Sequence, residues 1–254
     1  MWKTPHQYLS NKIDIHLIGC GGTGSFICAE LSMLNELLHR LGHEGMSVIA
    51  WDSSPVRDAN LGRQRFRFSD LGVQKSVALI SHEQAFNGFF DWKAEGDFVP
   101  KNGVPKYGNP KIVITAVDKP SVRFEFGTWF SKQTDNNVLW IDAGNDHQTG
   151  QVILGGAGLP TVFDLFGSQY KAMKDDTTKS CSSEEALARQ DFGVNSMAAR
   201  LVGQLIWNML RHGQLEHHGA FFDVSGLSVS SLKVDPTVWR SYGYEKADET
   251  KALN

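Results

Sequence analysis

Cysteine is scarce. The 254 residues hold three, Cys20, Cys28 and Cys181, and no two of them form a C-x-x-C pair. That count excludes a disulfide framework and a four-cysteine zinc site, and it suits a reducing cytoplasm. An excess of either charge is missing too: 25 Lys and Arg face 28 Asp and Glu, a formal net charge of −3. A nucleic-acid binder that works through bulk positive charge needs a different balance. No apolar run approaches the roughly 20 residues of a membrane-spanning helix. Residues Met1–His6 carry no apolar stretch of the secretory kind, so no signal peptide is expected. Repeats and low-complexity linkers are absent as well. A length of 254 residues suits one α/β domain, read here as spanning 1–254.

What is present begins with Ile13–Ile18, a compact apolar strand that runs into Gly19-Cys20-Gly21-Gly22-Thr23-Gly24. Ile27, Leu31, Leu34, Leu38 and Leu41 then recur at helical spacing, and Gly42 supplies a stop. Met46–Trp51 is the next strand, so strand, turn, helix and strand make a βαβ unit with a parallel sheet. Further on, the pattern predicts a helix from about Gly72 to Ala85 and a short strand near Phe98-Val99. It also predicts strands at Ile112–Val117 and Val138–Ala143, with Gln151–Leu154 continuing the sheet. Other helices are expected over Ser121–Lys132 and Val194–Arg211, and a hairpin over Ala220–Val234. Residues from Gly155 to Ser183 show weak periodicity, and a flexible crossover loop is expected at about 168–185. A frayed tail is expected from about 242 to 254.

The glycine loop sits where a nucleotide-binding turn belongs, after a strand and opening a helix. Its glycines allow close approach of a phosphate, and the helix start offers unpaired N–H groups. Asp52 ends the second strand, where an acid holds ribose hydroxyls. It follows Gly24 by 28 residues, a longer interval than in NAD enzymes, and that counts against hydride transfer. The cluster Asn60-Leu61-Gly62-Arg63-Gln64, with Lys75 opening the next helix, supplies groups that a dinucleotide does not need and a triphosphate does. Asp118 ends the Ile112–Val117 strand, and a carboxylate beside phosphates points to Mg²⁺. Each residue of the Asn60–Lys75 cluster alone also reads as a solvated surface charge, Asp52 as a helix cap or loop carboxylate, and Asp118 as a helix cap. Their order behind the glycine loop argues for ATP, with an NAD oxidoreductase ranked lower.

These residues resemble the ThiF/MoeB/HesA family, the E1-like enzymes that activate ubiquitin-like and sulfur-carrier proteins. The resemblance runs from about Ile13 to Val234. It rests on Asp52-x-x-x-Val56-x-x-x-Asn60-Leu61-x-Arg63-Gln64 with Lys75, and on Asp118 with Arg123. Ile141-Asp142-Ala143-Gly144, Gly150-Gln151-Val152, Cys181 and Phe222-Asp223-Val224 follow in family order. Within the family the chain looks most like the ThiF-related member of plasmid-associated PRTRC cassettes. The resemblance implies a doubly wound, mainly parallel Rossmann-like sheet with a C-terminal antiparallel hairpin. It implies an ATP- and Mg²⁺-dependent adenylyltransferase, acting on the C-terminal glycine of a small ubiquitin-like (β-grasp) protein, and a homodimer. Gly19, Gly21, Gly22 and Gly24 would form the phosphate loop, and Asp52 would hold the ribose. Asn60, Arg63, Gln64 and Lys75 would hold the triphosphate, and Asp118 the Mg²⁺.

Departures from the family pattern stand out. The structural zinc of many relatives has no cysteine pairs to hold it. The N-terminal Arg that homodimeric relatives reach across with is absent; Lys3 or Lys12 substitutes, or the contact is missing. Lys119 follows Asp118 where a small polar residue is usual. There is no room for the inserted catalytic-cysteine domain of the large enzymes. Cys181 is the thiol in the family's loop position. It reads either as the acceptor of a thioester, persulfide or acyl disulfide, or as an incidental exposed thiol. Cys28 reads as core, Cys20 as a small filler, and His217-His218 as surface. Two other functions stay open: a non-catalytic nucleotide-binding scaffold, and adenylation of a non-protein substrate.

Overall fold

Strand β2 (Ile13–Ile18) is buried along nearly its whole length, as expected of a central parallel strand covered on both faces. Around it the computed structural model builds an eight-stranded mixed sheet; it describes residues 1–88, 91–98, 104, 108–133, 137–175 and 190–245. Five strands run parallel: β4 (Lys93–Glu95), β3 (Met46–Trp51), β2, β5 (Lys111–Thr115) and β6 (Val138–Asn145). Three antiparallel strands extend the far side: β7 (Thr149–Gly155), β9 (His217–Asp223) and β10 (Ser228–Lys233). The order is β10-β9-β7-β6-β5-β2-β3-β4. The C-terminal hairpin is the β9–β10 pair.

Helix α2 (Gly22–Arg40) crosses from β2 to β3, and α3 (Lys75–Asn87) from β3 to β4. The chain then returns past β2, and α4 (Pro120–Phe130) links β5 to β6 in the opposite direction. Right-handed crossovers therefore put α4 on the other face, which makes the sheet doubly wound. The packing follows this division. Helix α2 lies on α3 and on α6 (Val194–His212), and α4 lies on α5 (Val162–Ala172). At the chain start, β1 (Trp2–Lys3) pairs with β8 (Gln214–Leu215), just beyond α6. Lys12 forms an ion pair with Asp91. Lys3 and Lys12 both lie at the end of the sheet and of α6 remote from the carboxyl ends of the parallel strands.

Several expectations are corrected. Helix α3 begins at Lys75 rather than Gly72, because Gly72 has a φ of +82° and Gln74 bridges back to Pro55. The short strand lies at Lys93–Glu95, and Phe98 instead packs edge-on against Trp51. Residues 168–172 are helical: Thr161 and Asp164 form a capping box that starts α5, and the helix runs to Ala172. The rest of the expected loop falls largely outside the described residues. The tail is packed as far as Tyr244, with Tyr242 stacked on Phe221 and Tyr244 against Trp239. Sequence reading missed the short helices α1 (His6–Ser10) and α7 (Pro236–Ser241).

His218 also departs from its surface reading. It is fully buried; its Nδ1 donates to Leu154 O at 2.7 Å, and its Nε2 accepts from Trp239 Nε1 at 2.9 Å. That arrangement fits a neutral ring, and burial lowers its pKa to about 4. His16 in β2 is buried too; desolvation, with Lys111 adding to it and Asp14 opposing, lowers its pKa to about 4. In the unfolded chain both would titrate near 6.5, so between about 6.5 and 4 the unfolded state binds more protons. Stability should therefore fall as pH drops through that window, by on the order of 3 kcal/mol per histidine. Urea titrations at pH 7, 5.5 and 4.5 would measure it. His218→Gln should remove about half of the histidine contribution; an unchanged slope would exclude His218 as a source.

Candidate nucleotide site

At the carboxyl ends of β2, β3, β5 and β6 the sheet opens into a cavity of about 820 Å³. This is the edge where open α/β sheets bind ligands, beside the point where the strand order reverses. Gly19, Gly21, Gly22, Asp52, Arg63, Gln64, Lys75 and Asp118 all line it. Residues separated by up to a hundred positions thus converge on one space. Asn60 and Gly24 do not line it. Asn60 Oδ1 accepts from Arg57 N–H at 2.8 Å within its own turn. Gly24 packs against the carbonyl of Gly19. Cys181 lies outside the described residues.

The glycines have separate reasons. Gly19 has a φ of +88°, and a Cβ there would stand 2.6 Å from Ala116 O. Gly21 has nothing within 4 Å of where a Cβ would be, so the backbone is bare toward the cavity. No side chain caps the start of α2. Its first N–H groups and the positive end of its dipole therefore face the cavity. Cys20 is the buried filler expected, and its thiol is held up by burial and then by Asp52. Cys28 is likewise buried with a raised pKa.

Asp52 bridges loop and strand: Oδ2 accepts from Cys20 N–H at 2.9 Å and Oδ1 from Ser54 N–H at 2.8 Å. Each oxygen keeps a lone pair for a hydroxyl. Lys75 is largely buried, and desolvation lowers its ammonium pKa despite the opposing pull of Asp52 and Asp118. Gln64 Oε1 is buried and finds no hydrogen-bond partner among the described residues. A buried acceptor left unpaired costs stability, so it marks a place where a donor belongs. Asp118 does not cap α4: Asp175 takes the Ser121 N–H at 3.0 Å. Arg123 Nε donates to Asp142 Oδ1 at 2.9 Å, and Thr115 Oγ1 donates to the same oxygen at 2.6 Å, which ties α4 and the end of β5 to β6.

Sequence reading missed most of the lining. Trp51, Phe98, Val117, Val122 and Phe126 form an apolar side next to Asp52, of a kind suited to a flat heterocycle. On the other side stand Thr23, Asn145, Gln190 and Asn195. Trp51 was legible as the neighbour of Asp52; the polar residues carried no local signal. Among the described residues no group of three or more His, Cys, Asp or Glu gathers as a protein-only metal cage. No helix among them is long and apolar enough to cross a membrane.

No family model and no curated protein matches the sequence. Solved structures do. PaaA aligns over 91% of this chain and 75% of its own, with a TM-score of 0.60 at 15% identity. The microcin C7 biosynthetic enzyme MccB, in complex with N-formylated MccA, aligns over 90% of this chain and 66% of its own, with a TM-score of 0.61 at 16% identity. The chain has the fold of PaaA and MccB. E. coli MccB with ATP gives a TM-score of 0.57 at 16% identity over 90% of this chain. The chain spans 65% of that MccB chain.

Proposed function

We propose that the chain binds ATP and Mg²⁺ in this cavity and adenylates the C-terminal carboxylate of a small partner protein. The observation that carries the reading is the convergence on one cavity of the bare Gly21 backbone, Asp52, Gln64, Arg63, Lys75 and Asp118. In this reading the apolar side takes the base and Asp52 the ribose. The start of α2, Arg63 and Lys75 face the phosphates. A carboxylate oxygen attacks the α-phosphorus, the bond to the β-phosphate breaks, and pyrophosphate leaves. The two cations offset the charge that grows on it. Asp118 would hold Mg²⁺, which takes one or two protein carboxylates and completes its shell with phosphate oxygens and water. Asp118 and Lys75 lining the same cavity fit that sharing.

Structures of MccB with ATP and with MccA support an ATP substrate and a peptide-like partner. The resemblance to the ThiF/MoeB/HesA family narrows the proposal to a β-grasp partner ending in glycine, a homodimeric enzyme, one adenylation domain over the chain and a cytoplasmic setting. The test is exchange of labelled pyrophosphate into ATP, with and without a folded candidate partner encoded beside this gene. Partner-dependent exchange is expected; its absence with a folded partner overturns the proposal. A second step would join the acyl group to Cys181: the thiolate attacks the acyl carbon, the carbon–oxygen bond to phosphate breaks, and AMP leaves. Cys181→Ala should then keep exchange and lose a thiol-sensitive adduct of chain and partner. Keeping the adduct would exclude Cys181 as acceptor.

A further inference from the structure

Three carboxamides meet on the polar side of the cavity. Asn145 closes β6, Gln190 lies just ahead of α6, and Asn195 sits in the first turn of α6. Asn145 Nδ2 donates to Asn195 Oδ1 at 2.9 Å. Asn195 Nδ2 donates to Gln190 Oε1 at 3.3 Å, and Gln190 Nε2 donates to Asn145 Oδ1 at 3.3 Å. The bonds run head to tail and close a ring. Flipping any one amide would set donor against donor and oxygen against oxygen, so the ring fixes all three orientations together. Thr23 anchors it to the glycine loop: its hydroxyl donates to Asn195 Oδ1 at 2.9 Å and accepts from Asn145 Nδ2 at 3.0 Å. Gly22 makes room for this, since a Cβ there would lie 2.6 Å from Asn195 Oδ1.

The ring presents one oxygen to a cation. Arg63 Nη1 donates to Gln190 Oε1 at 3.0 Å. The acceptor is neutral, and that matters. A carboxylate there would orient the guanidinium and also cancel its charge. A carboxamide orients it without adding a negative charge of its own. Ring bonding polarises that oxygen and strengthens the contact. A guanidinium serves phosphate through a planar fork, so the plane in which it is held decides how many bonds it makes.

We infer that the Asn145–Asn195–Gln190 ring is a positioning device for Arg63, acting through the Gln190 contact. The inference rests on the nucleotide reading above, in which Arg63 faces the phosphates. It assigns roles to three residues that do not touch the reacting atoms: Gln190 touches Arg63, and Asn145 and Asn195 act through Gln190. The test is a double-mutant cycle. Wild type, Gln190→Ala, Arg63→Ala and the double variant are titrated calorimetrically with ATP–Mg²⁺, and wild type and Gln190→Ala also with adenosine. Loss of a hydrogen bond to a charged group should weaken ATP binding by about 10- to 100-fold in Gln190→Ala. In the Arg63→Ala background the same change should cost less than about twofold, because its target is gone. Adenosine, which has no phosphate, should bind equally to wild type and Gln190→Ala. Gln190→Leu, which keeps the side-chain volume, should follow Gln190→Ala. Equal losses in both backgrounds, or an equal loss for adenosine, would overturn the positioning role and leave the ATP reading standing. A folded wild type that binds neither ATP nor adenosine would overturn both.

Discussion

Lys75→Ala and Arg63→Ala should each abolish pyrophosphate exchange while leaving the chain folded. Lys75 opens α3 and lies largely buried among Asp52, Cys20 and Asp118. Burial makes its charge costly, and the fold keeps it there between two carboxylates rather than at the surface. Removing one donor that stabilises developing charge typically costs a factor of about 10² to 10³ in rate. Lys75→Ala should reach at least that, since it also leaves Asp52 and Asp118 without the cation that screens them. Arg63 approaches from a different loop, so its loss should be separate in origin and similar in size. Both variants should melt near the wild-type temperature, because neither side chain anchors the core. Exchange is read as label entering ATP in the presence of partner. Wild-type rates in either variant would remove that residue from the reaction.

What the sequence made legible was local. The β2–α2–β3 unit could be read because strand, glycine loop and helical repeat are consecutive. Asp52, Arg63, Gln64, Lys75 and Asp118 could be read because each sits at the end of an element or in a dense polar run. The parts that escaped depend on distance. The ring of Asn145, Gln190 and Asn195 joins chain positions 45 and 50 residues apart and is anchored on Thr23, 122 residues from Asn145. An asparagine at the end of a strand looks like any turn residue until its partners arrive. His218 looked exposed beside Glu216 and His217, yet strand alternation turned it inward against Leu154 and Trp239. Helix α5 lay in a stretch with weak hydrophobic periodicity, and its start signal was the four-residue box Thr161–Asp164. The antiparallel side of the sheet was only half legible, since alternation does not state direction.

The glycine loop gives the sharpest contrast in expected effect. In Gly24→Ala the new methyl would stand 1.9 Å from Gly19 O. Relief needs a shift of more than about 1 Å, since carbon and oxygen settle beyond about 3 Å. The loop has nowhere to retreat: on its other side Gly19 lies against Ala116 and Val117, and its N–H donates to Trp51 O at 2.9 Å. Helix α2 is held in turn by α3 and α6. Backbone is trapped between backbone, so the cost belongs at the upper end of overpacking, about 3 kcal/mol or more. Gly24→Ala should therefore lower the melting temperature by many degrees and lose nucleotide binding with it. Gly21→Ala should separate the two. No protein atom lies within 4 Å of the added Cβ. The melting temperature should fall far less than in Gly24→Ala. The methyl would instead fill the space through which a ligand meets the backbone, and ATP affinity should fall by about tenfold or more. Thermal melts of both variants, with and without ATP–Mg²⁺, read the two effects side by side. A Gly24→Ala chain as stable as wild type would refute the tight contact between α2 and the loop. A Gly21→Ala chain that binds ATP normally would place the ligand away from the bare turn.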